Sequence, residues 1–129
     1  MPDAKNIALN ISEAEWEVIK VIWEAGPLTA GQIVLALEGQ KHWAPRTIKT
    51  LLARLVKKGA VKSAVEDKKY VYRAAISRQQ AARSEARSFL SRVFDGALVP
   101  AVATFIKESD LSRDEVEQLK QILDREGKR

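Results

Sequence analysis

Apolar residues recur at helical spacing through the first third of the chain. Trp16, Ile19 and Trp23 fall at i, i+3 and i+7, and Ala30, Ile33 and Leu37 repeat that interval. Both runs open on the same device. Ile11-Ser12 is followed by Glu15 and Trp16, and Leu28-Thr29 by Gln32 and Ile33. A Ser or Thr hydroxyl can accept from the backbone N–H three residues on, while the Glu or Gln side chain there reaches back to the N–H of the Ser or Thr. Ile76-Ser77 with Gln80, and Leu111-Ser112 with Glu115 and Val116, are two further copies. Four helix starts are thus predicted from their ends alone, and Gly26-Pro27 separates the first two helices.

A further helix is predicted from Pro45 to about Lys58, because proline suits a first helical turn and Gly59 suits a left-handed C-terminal stop. Its apolar residues Ile48, Leu51, Leu52 and Leu55 line one face. The period then shortens. Ala60 to Val65 is rich in valine, Glu66-Asp67-Lys68 reads as a turn, and Tyr70-Val71-Tyr72 is aromatic and β-branched, so a hairpin is expected with both tyrosines packed inward. After Ile76 the chain becomes rich in Ala, Arg and Ser, with helical stretches over Ser77–Phe94, roughly Leu98–Lys107 and Ser112 to about Glu126. The expected fold is mainly α with a small β-hairpin wing: a winged helix-turn-helix domain over residues 1–76, then a helical dimerisation domain over residues 77–129.

Composition narrows the class. A chain of 129 residues with 46% hydrophobic and 30% charged residues makes one compact unit, or one small domain with an appendage, neither disordered nor fibrous. The absence of Cys excludes a disulfide scaffold, a thiolate metal site and a cysteine nucleophile, and fits a reducing compartment. Met1 to Asn6 leads into no apolar stretch, and the longest mostly apolar run, Ala97 to Ile106, is about half of the ~20 residues a membrane span needs. A cytoplasmic protein with no membrane partner is expected.

Charge changes the picture more. The net +5 is unevenly spread. Residues 10–40 hold Lys20 against five glutamates, whereas residues 41–73 hold ten Lys and Arg against Glu66 and Asp67. At about 100° per residue, Arg46, Thr50, Ala53, Arg54 and Lys57 fall opposite Ile48, Leu52 and Leu55, with Lys49 at the edge. Small residues among the long bases, Thr47, Thr50 and Ala53, leave room for a groove wall. That suits a recognition helix, with Arg46, Thr47 and Thr50 toward bases and Lys49, Arg54 and Lys57 toward phosphates, while Lys68 and Lys69 make a basic wing. A lone cationic helix face is more often merely solvated; the order of helix, turn, basic helix and basic hairpin is what favours double-stranded DNA. The rival is a winged-helix interaction module that turns the same face to an acidic protein.

Nothing resembles an enzyme. His42 is the only histidine, so a polydentate histidine metal site is impossible, and no cofactor is expected. The tryptophans Trp16, Trp23 and Trp43 read as packing anchors. In the tail, Phe89, Val93, Phe94, Leu98, Val102, Phe105, Ile106, Val116, Leu119 and Leu123 are more apolar than a completed small domain requires. They could fold back on the first module, but a homodimer is preferred, which would bring two recognition helices to a palindromic operator.

The segments Ile11-Ser12-Glu13-Ala14-Glu15-Trp16, Val21-Ile22-Trp23, Trp43-Ala44-Pro45-Arg46-Thr47 and Thr50-Leu51-Leu52-Ala53-Arg54-Leu55, ending in Lys57-Lys58-Gly59, resemble the BlaI/MecI family of penicillinase repressors. The similarity runs from about Ala8 to Glu126. It implies a homodimeric transcriptional repressor of β-lactamase-type or related resistance genes, relieved when a sensor-linked protease cuts the dimerisation domain. The family's cut follows Asn and precedes Phe; here the matching bond is Thr104-Phe105, with Thr in place of Asn. Copper-responsive relatives carry a Cys-rich tail that this chain lacks, and the Gly-Arg frequent at the family's wing turn is replaced by Lys68-Lys69 after Glu66-Asp67.

Overall fold

The computed structural model describes residues 10–127. The segment Met1–Asn6 and the last two residues, on which the expectations about the chain's ends rest, lie outside the described residues. Six helices and three short strands follow in the order α1 (Glu13–Ala25), β1 (Leu28–Thr29), α2 (Ala30–Glu38), α3 (Pro45–Lys57), β2 (Val61–Glu66), β3 (Lys69–Ala74), α4 (Arg78–Phe94), α5 (Leu98–Glu108) and α6 (Arg113–Gly127).

All four predicted capping boxes form. Glu15 N–H donates to Ser12 Oγ at 3.2 Å and Ser12 N–H to Glu15 Oε1 at 2.8 Å. The same reciprocal pair joins Thr29 with Gln32, Ser77 with Gln80 and Ser112 with Glu115. Each cap closes orphan N–H groups at a helix end for about 1 kcal/mol, enough to fix where short helices begin. Pro45 occupies the first turn of α3, as expected. At the other end Gly59, at φ +84°, donates to Val56 O while Ala60 N–H donates to Leu55 O, both at 3.0 Å. That is a complete Schellman stop, and Leu55 and Ala60 are both fully buried beside it.

The sheet has the order β1-β3-β2, all antiparallel. The hairpin of β2 and β3 was expected; β1 was not, because two residues are too short for a period to register. Leu28 pairs with Tyr72 and Thr29 with Val71, so Thr29 ends a strand and caps α2 at once. The core gathers Val18, Ile19 and Ile22 of α1, Ile33 and Leu37 of α2, Ile48, Leu51, Leu52 and Leu55 of α3, and Val61 and Ile76. Trp16, Trp23 and Trp43 pack against its rim, as anchors should, with the first two rings 5.7 Å apart.

One expectation about the hairpin is corrected. Tyr72 packs against the core but Tyr70 is 62% exposed, because the core ends before the strands do.

The chain divides into two compact units between Ser88 and Phe89, inside α4. The first unit reaches past residue 76 because Ala81 is buried in its core, Trp23 Nε1–H donates to Ile76 O at 3.1 Å, and Arg78 lies over the Trp23 ring at 6.0 Å. Within the second unit, Phe89 meets Phe94 and Phe105 at ring distances of 5.8 and 5.6 Å. Among the described residues no single helix is long and apolar enough to cross a membrane.

Candidate nucleic-acid interface

The third helix separates its faces sharply. Ile48, Leu51, Leu52 and Leu55 are buried, while Arg46, Thr47, Lys49, Thr50, Arg54 and Lys57 are all exposed. The 13 residues of α3 include no acidic side chain, and Ala44 provides no side-chain cap, so its N-terminus presents no anion of its own. The turn between α2 and α3 closes through Gln40 and Lys41 N–H groups donating to Leu37 O at 3.0 and 2.9 Å. These elements hold a rigid cationic surface on a packed scaffold, the arrangement in which a helix can enter a major groove.

Two details refine the expected roles. Thr50 Oγ1–H donates to Arg46 O at 3.0 Å, one turn back. Its hydroxyl proton is thus occupied within the helix, leaving the oxygen as an acceptor and the methyl group exposed. Lys58, which continues the basic run in sequence, turns inward. Its Nζ donates to Asn10 O and lies 2.5 Å from Glu15 Oε1.

Glu15 is 1% exposed, and its Oε2 has no hydrogen-bond partner. Burial alone would raise its pKa. Hydrogen bonds from Lys58 and Ser12, with the Lys58 charge, outweigh that and hold the carboxyl below its ordinary value. The sequence disclosed Glu15 as a capping residue but not as this ion-pair partner, since 43 positions separate it from Lys58.

On the wing, Lys68 and Lys69 are exposed at the tip, as expected. Asp67 and Lys68 form a two-residue turn with both φ positive, at 50° and 67°. Glu66 and Arg73, on opposite strands, are paired with each other. The wing therefore offers two lysines at its tip.

Elsewhere among the described residues no catalytic set assembles. A cavity of about 490 Å³ lies between Trp16 and Trp43, lined also by Glu13, Glu17, Lys20 and Lys41, with no nucleophile or general base of distinct character. Among the described residues no group of three or more His, Asp or Glu is placed to hold a metal ion.

A helix, a two-residue strand, two further helices and a hairpin in this order define a winged helix-turn-helix domain followed by a helical region. The family model described as Penicillinase repressor matches residues 11–125, and the chain belongs to that family. It is 34% identical over 120 residues to the methicillin resistance regulatory protein MecI of Staphylococcus aureus, covering 93% of this chain and 98% of that protein. It is 37% identical over 114 residues to a penicillinase repressor of Bacillus licheniformis, covering 88% and 89%. The solution structure of monomeric Bacillus licheniformis BlaI in complex with the blaP half-operator superposes at a TM-score of 0.50 with 38% identity, covering 55% of this chain and 87% of that one.

Proposed function

We propose that this protein is a dimeric, sequence-specific repressor that binds double-stranded DNA through α3 and the wing and acts by occluding a promoter. The observation that carries the reading is the exposed, acid-free face of α3 set on a buried apolar face, in a chain of the penicillinase repressor family. Arg46, Thr47 and Thr50 would meet base edges, Thr50 as an acceptor or through its methyl group. Lys49, Arg54, Lys57, Lys68 and Lys69 would neutralise phosphates. The half-operator complex of the BlaI relative supports DNA as the partner over an acidic protein.

The helical region supports a homodimer. Of the residues expected there, Val93, Leu98, Val102, Phe105, Ile106, Val116, Leu119 and Leu123 are exposed, joined by Val99 and Ile122. Helix α6 buries none of its residues although Val116, Leu119 and Leu123 form a stripe at i, i+3 and i+7. An amphipathic helix with an uncovered apolar stripe marks an interaction face, and a second copy supplies the same stripe. Phe89 and Phe94 are half-buried within the unit itself and steady α4 against α5 there.

Relief would come through cleavage of Thr104-Phe105 by a sensor-linked protease. That bond lies inside α5, where Thr104 Oγ1–H donates to Pro100 O at 2.9 Å. A protease needs the segment extended, so the cut requires local opening of α5 and is slow while the helix is packed. Phe105→Ala should lengthen repressor lifetime in induced cells of the source organism; equal lifetimes would remove this step.

The test of the main reading is selection of random duplex DNA with the purified protein at physiological salt, followed by sequencing. A palindrome with half-sites about one helical turn, ~34 Å, or a multiple apart is the expected result. No enriched sequence would return the basic face to the acidic-partner reading.

A further inference from the structure

Between the end of β3 and the start of α4 stand Ala75, Ile76 and Ser77, and each of them is tied down. Ala75 N–H donates to Ala60 O at 2.8 Å, beside the stop that ends α3. Ile76 is buried, and its carbonyl accepts from Trp23 Nε1–H at 3.1 Å. Ser77 Oγ accepts from Gln80 N–H at 3.0 Å and so caps the helix.

Trp23 reaches this joint from the last turn of α1, 53 positions earlier in the chain. Any large apolar side chain would cover the rim of the core there. The indole adds one directional bond, and it goes to a carbonyl that Gln80 N–H, already engaged by Ser77 Oγ, leaves open. Two further contacts close the joint. Arg78, the first residue of α4, lies over the Trp23 ring at 6.0 Å, and Ala81, one turn on, is buried in the core. From this anchored turn α4 runs unbroken to Phe94, past the division between the two units at Ser88 and Phe89.

We infer that Trp23 is a positioning residue: by fixing the direction in which α4 leaves the winged domain, it sets the half-site spacing that the dimer accepts. The inference rests on the dimeric DNA-binding reading and names what makes such a dimer selective for spacing. A flexible linker lets two recognition helices reach half-sites over a range of separations, whereas a helix anchored at its first turn holds one direction. Direction matters because each base pair added between half-sites turns them by roughly 35° and moves them ~3.4 Å apart.

The experiment uses the full chain and the palindrome that the unaltered protein recovers from a random pool. Affinity is measured for that duplex, for versions with one base pair added or removed at the centre, and for an isolated half-site. The unaltered protein should lose about tenfold or more on either change of spacing. Trp23→Phe, which keeps an aromatic ring but no N–H, should lose only about threefold, while binding the half-site within about twofold of the unaltered protein. Arg78→Ala, an exposed change at the other side of the joint, should relax the spacing penalty in the same direction.

Circular dichroism checks folding, and if Trp23→Phe does not fold, Arg78→Ala decides. Variants that fold, bind the half-site normally and keep the full spacing penalty overturn the inference. Equal losses on the half-site and on every palindrome also overturn it, because they assign Trp23 to the stability of the winged domain alone. An unaltered protein indifferent to spacing overturns it as well, with the DNA reading intact. If no duplex is enriched, or the palindrome binds no better than the half-site, the dimeric reading beneath it fails.

Discussion

Glu15 Oε1 in the first turn of α1 lies 2.5 Å from Nζ of Lys58, the residue that caps the C-terminus of α3. The same ammonium reaches Asn10 O, so one side chain ties the start of the first helix to the end of the basic one. This lysine is lost to any phosphate, but it fixes the helix on which the other bases are mounted.

Removing the charge at Glu15 should therefore destabilise the fold. Glu15→Gln retains an oxygen for Ser12 N–H and leaves Lys58 without its counter-charge; because Lys58 is partly solvated, the expected loss is about 1–2 kcal/mol rather than the full cost of stranding a buried ion. Urea denaturation at neutral pH checks it.

The pH dependence follows from the depressed pKa of Glu15. Its stabilisation is fully present above the ordinary carboxylate pKa of about 4.3, and is lost as pH falls through the lower folded value. The unaltered protein should weaken between roughly pH 5 and its acid transition, and Glu15→Gln should show a flatter profile over that window. Parallel profiles would mean that other carboxylates dominate.

At the wing tip, Lys68→Gly should relieve a left-handed side chain and raise stability by about 1 kcal/mol. The same change should weaken DNA binding for all sequences and lower the salt slope by about one. A thermal melt and a salt titration on one sample separate the two effects, which should move in opposite directions.

On the recognition helix, Arg46→Ala should cost about 1–3 kcal/mol of binding and relax discrimination at one base position. Lys69→Ala should weaken all sequences alike. Repeating the duplex selection with each variant tests the division of roles, and a changed sequence preference for Lys69→Ala alone would reverse it.

In the helical region, Leu119→Glu with Leu123→Glu places two charges on a stripe that keeps an exposed face. Sedimentation should show a dimer for the unaltered protein and a folded monomer for the variant, with affinity for a full palindrome falling toward that for a half-site. A monomeric unaltered protein would remove the dimer from the reading.

The sequence by itself determined the elements whose information is local. Each capping box lies within four residues, so Ser12, Thr29, Ser77 and Ser112 announced their helices without reference to the rest of the chain. The Gly59 stop and the two faces of α3 were legible for the same reason: backbone sterics and a period of 3.6 act over neighbours. So was the exposure of the polar residues between Arg46 and Lys57, because a face that is core on one side must be exposed on the other.

Only the tertiary structure decided matters that depend on what arrives from far along the chain. The strand Leu28–Thr29 exists because β3, more than forty residues later, supplies its hydrogen-bond partners. Lys58 belongs to the basic run in sequence and Tyr70 was expected to pack inward; the first is drawn inward by Glu15, and the second is left outside because the core stops at Tyr72. Periodicity reports which face a side chain occupies, but not whether that face still has something to rest on.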